Sequence, residues 1–183
     1  SSWTNTGGTG NIQITRAATN SLTGFTNVGI GTVKFSGTDF TISKKIVGQG
    51  FGNGSVLELS PASGTQTWSG NITNFASGEH IVKSGSGTVV LGGSNTYVAK
   101  TFVNAGALLV NGTHIQSSAG EGGGSATNGL YVVADGATLG GTGRIAGNAT
   151  AANSAMIYAK SNGVVAPGAS IGTLDREALF YLQ

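Results

Sequence analysis

Short alternations of apolar and polar residues run along this chain, and most are led in by a pair of glycines. Gly8-Thr9-Gly10-Asn11-Ile12-Gln13-Ile14 has the form G-x-G-x-Φ-x-Φ, where Φ is apolar. Gly29–Phe35 and Gly85–Leu91 repeat it, and Gly52–Val56 starts another that runs on into Leu57-Glu58-Leu59. Asn104–Val110 is a variant, and Asp135–Leu139 and Asn162–Val165 are shorter echoes. The glycines permit positive φ or close backbone approach at a corner. The Φ-x-Φ that follows is a strand with one face inward. The corner glycines fall at 10, 31, 54, 87, 106, 136 and 163, so their spacings run from 19 to 33 residues. That is too long for two-residue hairpins and too irregular for a propeller. It predicts a β-solenoid of seven or eight coils, each with two or three short strands and loops of variable length. Such a rod is about 35–40 Å long at the inter-strand spacing. Inward positions take Val, Ile, Leu, Phe and Ala; outward ones take Thr, Ser, Asn and Lys. Helix-forming residues cluster only at the end, from Asp175 to Leu182.

Composition narrows this picture. Glycine is 33 of 183 residues and charged residues only 9%, against about 7% and about 25% in an average domain. With two prolines and no G-x-y triplet the chain is not collagen-like, and its apolar bursts exclude a charged disordered chain. The formal charge is +2 and the pI about 9.0, but the bases are scattered and only Lys44 and Lys45 adjoin. That excludes the concentrated basic face of a nucleic-acid binder. With no cysteine there is no disulfide or thiolate metal site, which fits a secreted bacterial protein and many cytosolic ones alike. No apolar run approaches the roughly 18 residues of a spanning helix, so no membrane insertion is expected from this segment.

The stretch 83–110, "KSGSGTVVLGGSNTYVAKTFVNAGALLV", resembles the autotransporter-associated β-helix repeat, also called the passenger-associated β-strand repeat. Lys83, Gly85, Gly87, Thr88, Leu91, Gly93, Asn95, Thr96, Tyr97, Thr101, Val103, Asn104, Gly106, Leu108 and Val110 fit its pattern. "SGTQTWSGNITN" (63–74) resembles the strand pair that precedes the unit; "ATLGGTGRIAGNAT" and "VVAPGASIGTL" resemble its closing segments. The resemblance covers about 63–174. It implies a right-handed parallel β-helix, secreted or displayed on the bacterial surface, used as a stalk in autotransporter passengers and adhesin-like proteins and lacking common catalytic residues. The chain departs from the pattern in its shortness, in carrying no C-terminal membrane barrel, and after Leu174, where it turns to "DREALFYLQ".

Several stretches mimic chemical sites. Gly168-Ala169-Ser170-Ile171-Gly172 matches G-x-S-x-G, but a hydrolase elbow needs a following helix and a later histidine. Both histidines, His80 and His114, precede Ser170, and the match falls in the repeat's closing segment, so a turn is expected. Gly141-Thr142-Gly143-Arg144-Ile145-Ala146 lacks the helix and the distant acid of a dinucleotide fingerprint. Glu58 and Glu79, 21 residues apart, are the best carboxylate pair for a polysaccharide-cleaving β-helix, with surface charge the expected role. His80 and His114 could share a metal only if the fold joined them. Chance accounts for the N-x-S/T sequons at Asn53, Asn71, Asn111 and Asn148. Leu179-Phe180-Tyr181-Leu182 is a dense apolar run, read either as a cap on the last coil or as an association segment.

The sequence therefore predicts an all-β chain: a right-handed parallel β-helix over residues 1–174, with a short C-terminal cap or inter-subunit docking segment at 175–183. No catalytic, cofactor-binding or metal-binding residue is assigned, and the association segment is Leu179, Phe180, Tyr181 and Leu182. The expected function is non-enzymatic: a secreted, cell-surface structural or adhesive module that self-associates, end to end or laterally, into a homo-oligomer or filament. A surface glycan or a host or cell-surface ligand is the expected external partner; nucleic acid is not. The alternatives are a carbohydrate-binding or carbohydrate-cleaving β-helix, with an aromatic strip drawn from Trp3, Trp68, Phe75 and Tyr97, and a stalk fragment of a longer passenger.

Overall fold

The computed structural model describes residues 2–6, 12–14, 24–28, 31–43, 45–48, 53–116, 130–146 and 157–166. The described residues form strands β1 (Ser2–Thr6), β2 (Ile12–Ile14), β3 (Gly24–Val28), β4 (Thr32–Phe35), β5 (Phe40–Ile42), β6 (Ile46–Val47), β7 (Val56–Leu59), β8 (Thr65–Trp68), β9 (Ile72–Thr73) and β10 (His80–Lys83). They continue as β11 (Thr88–Leu91), β12 (Ser94–Asn95), β13 (Lys100–Val103), β14 (Ala107–Val110), β15 (Thr113–Ile115), β16 (Tyr131–Val133), β17 (Thr138–Gly140), β18 (Arg144–Ala146), β19 (Ile157–Ala159) and β20 (Val164–Val165).

From β4 onward every third strand pairs in parallel with its counterpart one coil away, as in a β-solenoid, and before it β1 pairs with β3 and β2 with β4. The first sheet is β2-β4-β7-β10-β13-β16-β19 and the second is β5-β8-β11-β14-β17-β20. The third face is built of β1-β3, β6-β9 and β12-β15-β18. The amide of Thr96 donates to the Ile72 carbonyl (3.0 Å), joining the last two of these groups. A coil takes 19 residues where Thr88 pairs with Ala107, and 31 where Ala107 pairs with Thr138. The extra length lies between β15 and β16 and leaves the ladder intact.

Alternation sets the faces. β4, β7, β8, β10, β11, β13 and β14 all bury every second residue. Val33, Leu57, Ile81, Thr101 and Tyr131 form one inward row of the first sheet; Phe35, Leu59, Lys83, Val103 and Val133 form the next. Backbone donors that leave each strand are met by the preceding coil: Ser60 to Phe35, Ser84 to Leu59, Asn104 to Lys83, Ala134 to Val103 and Lys160 to Val133, at 2.8–3.0 Å.

The solenoid expected from the glycine pattern is therefore present, but the pattern mixes two corners. Gly31 and Gly54 lead into β4 and β7 on the first sheet, whereas Gly87, Gly106, Gly136 and Gly163 lead into the second. The 33-residue step from 54 to 87 spans a whole coil and one further corner. Both corners need the same local chemistry, so the motif cannot report the face. At the 83–88 corner it is Gly85 that has positive φ (+73°). Gly87 serves close approach instead: a Cβ there would meet the Ser63 carbonyl oxygen at 2.7 Å.

Candidate functional site

The outward face of the first sheet changes character along the rod. One row reads Lys34, Glu58, Val82, Phe102, Val132, Tyr158 in register. Its first two members are an ion pair, with Lys34 Nζ 2.9 Å from Glu58 Oε1. Burial disfavours the Glu58 carboxylate, but hydrogen bonds from Ser84 and Lys34 and the Lys34 charge outweigh it and hold the pKa below the usual range. The next four members are a half-buried apolar stripe. His80 flanks it, its ring edge-on to Phe102 with centroids 5.1 Å apart. The second sheet turns out Thr65, Thr88, Ala107, Thr138 and Val164 in one row. Val164 is the most exposed large apolar side chain among the described residues, at 49%.

The interior holds polar groups where alternation asks for apolar ones. Lys83 lies fully buried between Leu59 and Val103, a correction to the expectation that lysines face outward. Its amine donates to the carbonyl oxygens of Ser84 (2.9 Å), Gly85 (2.8 Å) and Ala105 (2.8 Å), using all three protons. Burial pushes its pKa down to about 8; the three carbonyl acceptors favour the charged form and oppose that shift. Gln66, on β8, does similar work at the corner between β4 and β5, donating to the carbonyls of Phe35 (2.9 Å) and Gly37 (2.6 Å). Asn95 accepts from the Ile72 amide (2.9 Å) and donates to the Thr113 carbonyl (3.2 Å), so it ties together three coils.

Tyr97, Thr101, His114 and Tyr131 form one buried chain of hydrogen bonds. His114 Nε2 is 2.9 Å from the Tyr97 carbonyl oxygen. A carbonyl only accepts, so Nε2 carries the proton and Nδ1 is the acceptor. Tyr131 therefore donates its hydroxyl proton to Nδ1 (2.7 Å), Tyr97 donates to the Tyr131 oxygen (3.2 Å), and Thr101 donates to the Tyr97 oxygen (2.9 Å). The His114 ring also packs against Tyr97, with centroids 3.9 Å apart. Burial drives the His114 pKa down to about 4 and that of Tyr97 up to about 12, so the network is neutral at ordinary pH. Its chemistry is cohesion: it is sealed from solvent and offers no site for a substrate.

The other candidates separate in space. His80 lies on the outward face of the first sheet and His114 points inward from the third face, so they do not converge on a metal. Glu58 is outward, whereas Glu79 is buried at the corner before β10 and accepts from the Ala76 amide (2.9 Å). Burial raises the Glu79 pKa to about 7, against the lowering effect of that hydrogen bond. Trp68, Phe75 and Tyr97 lie inside the core, which removes three members of the expected aromatic strip from the surface. The G-x-S-x-G stretch and Leu179–Leu182 lie outside the described residues. The buried polar set had one legible signal: Lys83 shares the parity of Ile81, and Thr101 that of Val103.

Five consecutive strands, β10 to β14, run once round the rod and most of the way again; they carry Lys83, Asn95 and Thr101, and Tyr97 lies in the connection between β12 and β13. Residues 81–110 match the family model described as Passenger-associated-transport-repeat. The matched stretch thus supplies two members of the buried network, Tyr97 and Thr101, together with Lys83, Asn95 and the outward residues Val82 and Phe102. Over 102 residues, 56% of the chain, the sequence is 36% identical to the Adhesin BmaC autotransporter of Brucella suis biovar 1 (strain 1330). The chain spans about 3% of the length of that curated relative. No solved structure matches.

Proposed function

We propose that this chain is a stretch of the rod of a secreted, surface-displayed autotransporter passenger, and that it acts by contact and not by catalysis. The observation that supports this most is the parallel ladder itself: each coil hands its backbone groups to the next around a closed core. Such a ladder gives stiffness and two long, regular outer faces. The similarity to an autotransporter adhesin supports display at the cell surface. The stripe Val82–Phe102–Val132–Tyr158, with His80 beside it, is the face we assign to adhesive contact, because apolar and aromatic groups there are available without disturbing the core. Its partner is a second copy of the rod or a surface glycan or protein of a host or neighbouring cell. Residues 175–183, with Leu179, Phe180, Tyr181 and Leu182, are the segment proposed for end-to-end association.

The test compares the chain with a Phe102→Asp variant and with a form ending at residue 174. Sedimentation across a wide concentration range and retention on bacterial and host-cell surfaces are read for each. The proposal expects concentration-dependent association or cell retention, weakened by one or both changes. A chain that is monomeric throughout and retained by no surface contradicts it.

A further inference from the structure

Parallel sheets of alternating residues have a weakness. A one-residue slip turns the core outward and is strongly resisted, but a two-residue slip keeps every inward residue inward. In the first sheet such a slip would set Ile81 against Val103 in place of Thr101, and the apolar pattern would barely register it. The buried polar groups would. Lys83 would leave the Ala105 carbonyl and keep two acceptors for three protons. Asn95 would leave Ile72 on one side or Thr113 on the other. Tyr97 and Thr101 would lose the line that runs through Tyr131 to His114.

We infer that Lys83, Asn95 and the Tyr97–Thr101 pair form a register lock, one at each corner or face of the solenoid, which fixes how the repeat stacks on its neighbours. Lys83 acts at the corner between the first and second sheets, Asn95 on the third face, and Tyr97–Thr101 at the corner between third and first. Each bonds to a coil other than its own or to the corner that opens the next. An apolar side chain at any of these places would fill the core as well and would accept more than one alignment. A single buried polar group at a core position fixes register in coiled coils by the same logic, at some expense in stability. The lock concerns the rod's own stacking, so it stands or falls independently of the rod's partner.

The chain has no cysteine, so paired cysteines report register cleanly. Val90 faces Leu109 across β11 and β14, just beyond the Lys83–Ala105 contact, and Ala107 sits two residues off that alignment. Val90→Cys with Leu109→Cys reports the native register; Val90→Cys with Ala107→Cys reports the slip. Dibromobimane fluoresces when it bridges two thiols, and diagonal neighbours lie about 7–8 Å apart against about 5 Å for direct ones. The ratio of native to slipped bridging is measured in three backgrounds: Lys83 unchanged, Lys83→Gln and Lys83→Met. The lock predicts a high ratio with lysine and with glutamine, which keeps an amide donor as Gln66 does. In Lys83→Met the ratio falls about tenfold, equivalent to about 1.4 kcal/mol of register preference, while the unfolding midpoint holds or rises. A folded Lys83→Met chain with the native ratio overturns the proposal, and so does equal behaviour of Gln and Met. Should Lys83→Met not fold, the ratio is read in Asn95→Leu, where an unchanged value again overturns it.

Discussion

The coils on either side of β9 solve the same packing problem by different means. Toward the N-terminal side the interior is closed mainly by rings and aliphatic chains, with the Gln66 amide as a bonded polar group. Phe35 meets Trp68 edge-on with centroids 4.8 Å apart, Phe40 meets the same indole at 6.0 Å, and Ile72 and Phe75 are fully buried nearby. From β10 onward the interior carries an ammonium, an amide, two phenols, a threonine and an imidazole, nearly all with assigned partners. The first kind of core is held by area and shape, which tolerate substitution of similar volume. The second is held by directional bonds, which do not. Cohesion comes from the aromatic coils and, under the register lock proposed above, uniqueness of stacking from the polar ones.

Removing the largest aromatic group breaks the first region hardest. Trp68→Ala leaves a cavity and is expected to cost about 3–5 kcal/mol in urea unfolding. Tyr131→Phe is expected to cost about 1–3 kcal/mol, because the volume stays while His114 Nδ1 and the Tyr97 hydroxyl lose their partner. If Trp68→Phe proves costlier than Tyr131→Phe, the contrast between the regions is wrong in kind.

Two buried groups beyond β9 set opposite pH slopes. The folded pKa of Glu79 lies above its unfolded value, so its contribution is complete below pH 4.5 and is lost as pH rises toward 7. The folded pKa of His114 lies below its unfolded value, so its contribution is complete above pH 6.5 and is lost as pH falls toward 4. Between pH 4.5 and 6.5 they oppose each other. Glu79→Gln should therefore uncover a fall in unfolding midpoint on acidification that is shallower in the unchanged chain. An identical pH profile for the two would show that Glu79 is not the buried acid described. The smallest effect is expected outside the core: Lys34→Ala should cost about 0.5 kcal/mol or less, since outward-facing ion pairs that stay in contact with solvent contribute little.

Much of the rod could be read from the chain. Alternation after each glycine pair located β4, β7, β11 and β14, and the solenoid followed from spacings too long for hairpins, while the parallel β-helix was what the resemblance to the repeat implied. What escaped was positional. The same G-x-G-x-Φ-x-Φ serves two different corners, because a tight turn into a half-buried strand has one local solution whichever sheet receives it. Lys83 reads as a surface residue because charge argues for exposure, and His114 reads only as a possible metal partner of His80; only the fold shows the carbonyls of Ser84, Gly85 and Ala105 converging on one, and Tyr97 and Tyr131 bracketing the other. Of the outward apolar stripe, Val82 and Phe102 were in plain view in the repeat, but nothing local says that Val132 and Tyr158 lie in the same row, since 30 and 26 residues separate the successive partners from β13 to β19.

The central claim is that successive coils stack in parallel around one core. Nuclear Overhauser contacts between backbone protons of β7, β10 and β13 test it most directly. The account predicts amide-to-Hα contacts of the parallel kind that place Val56 beside His80 and His80 beside Lys100. Close Hα–Hα contacts between β10 and β11, the mark of an antiparallel hairpin, would contradict it.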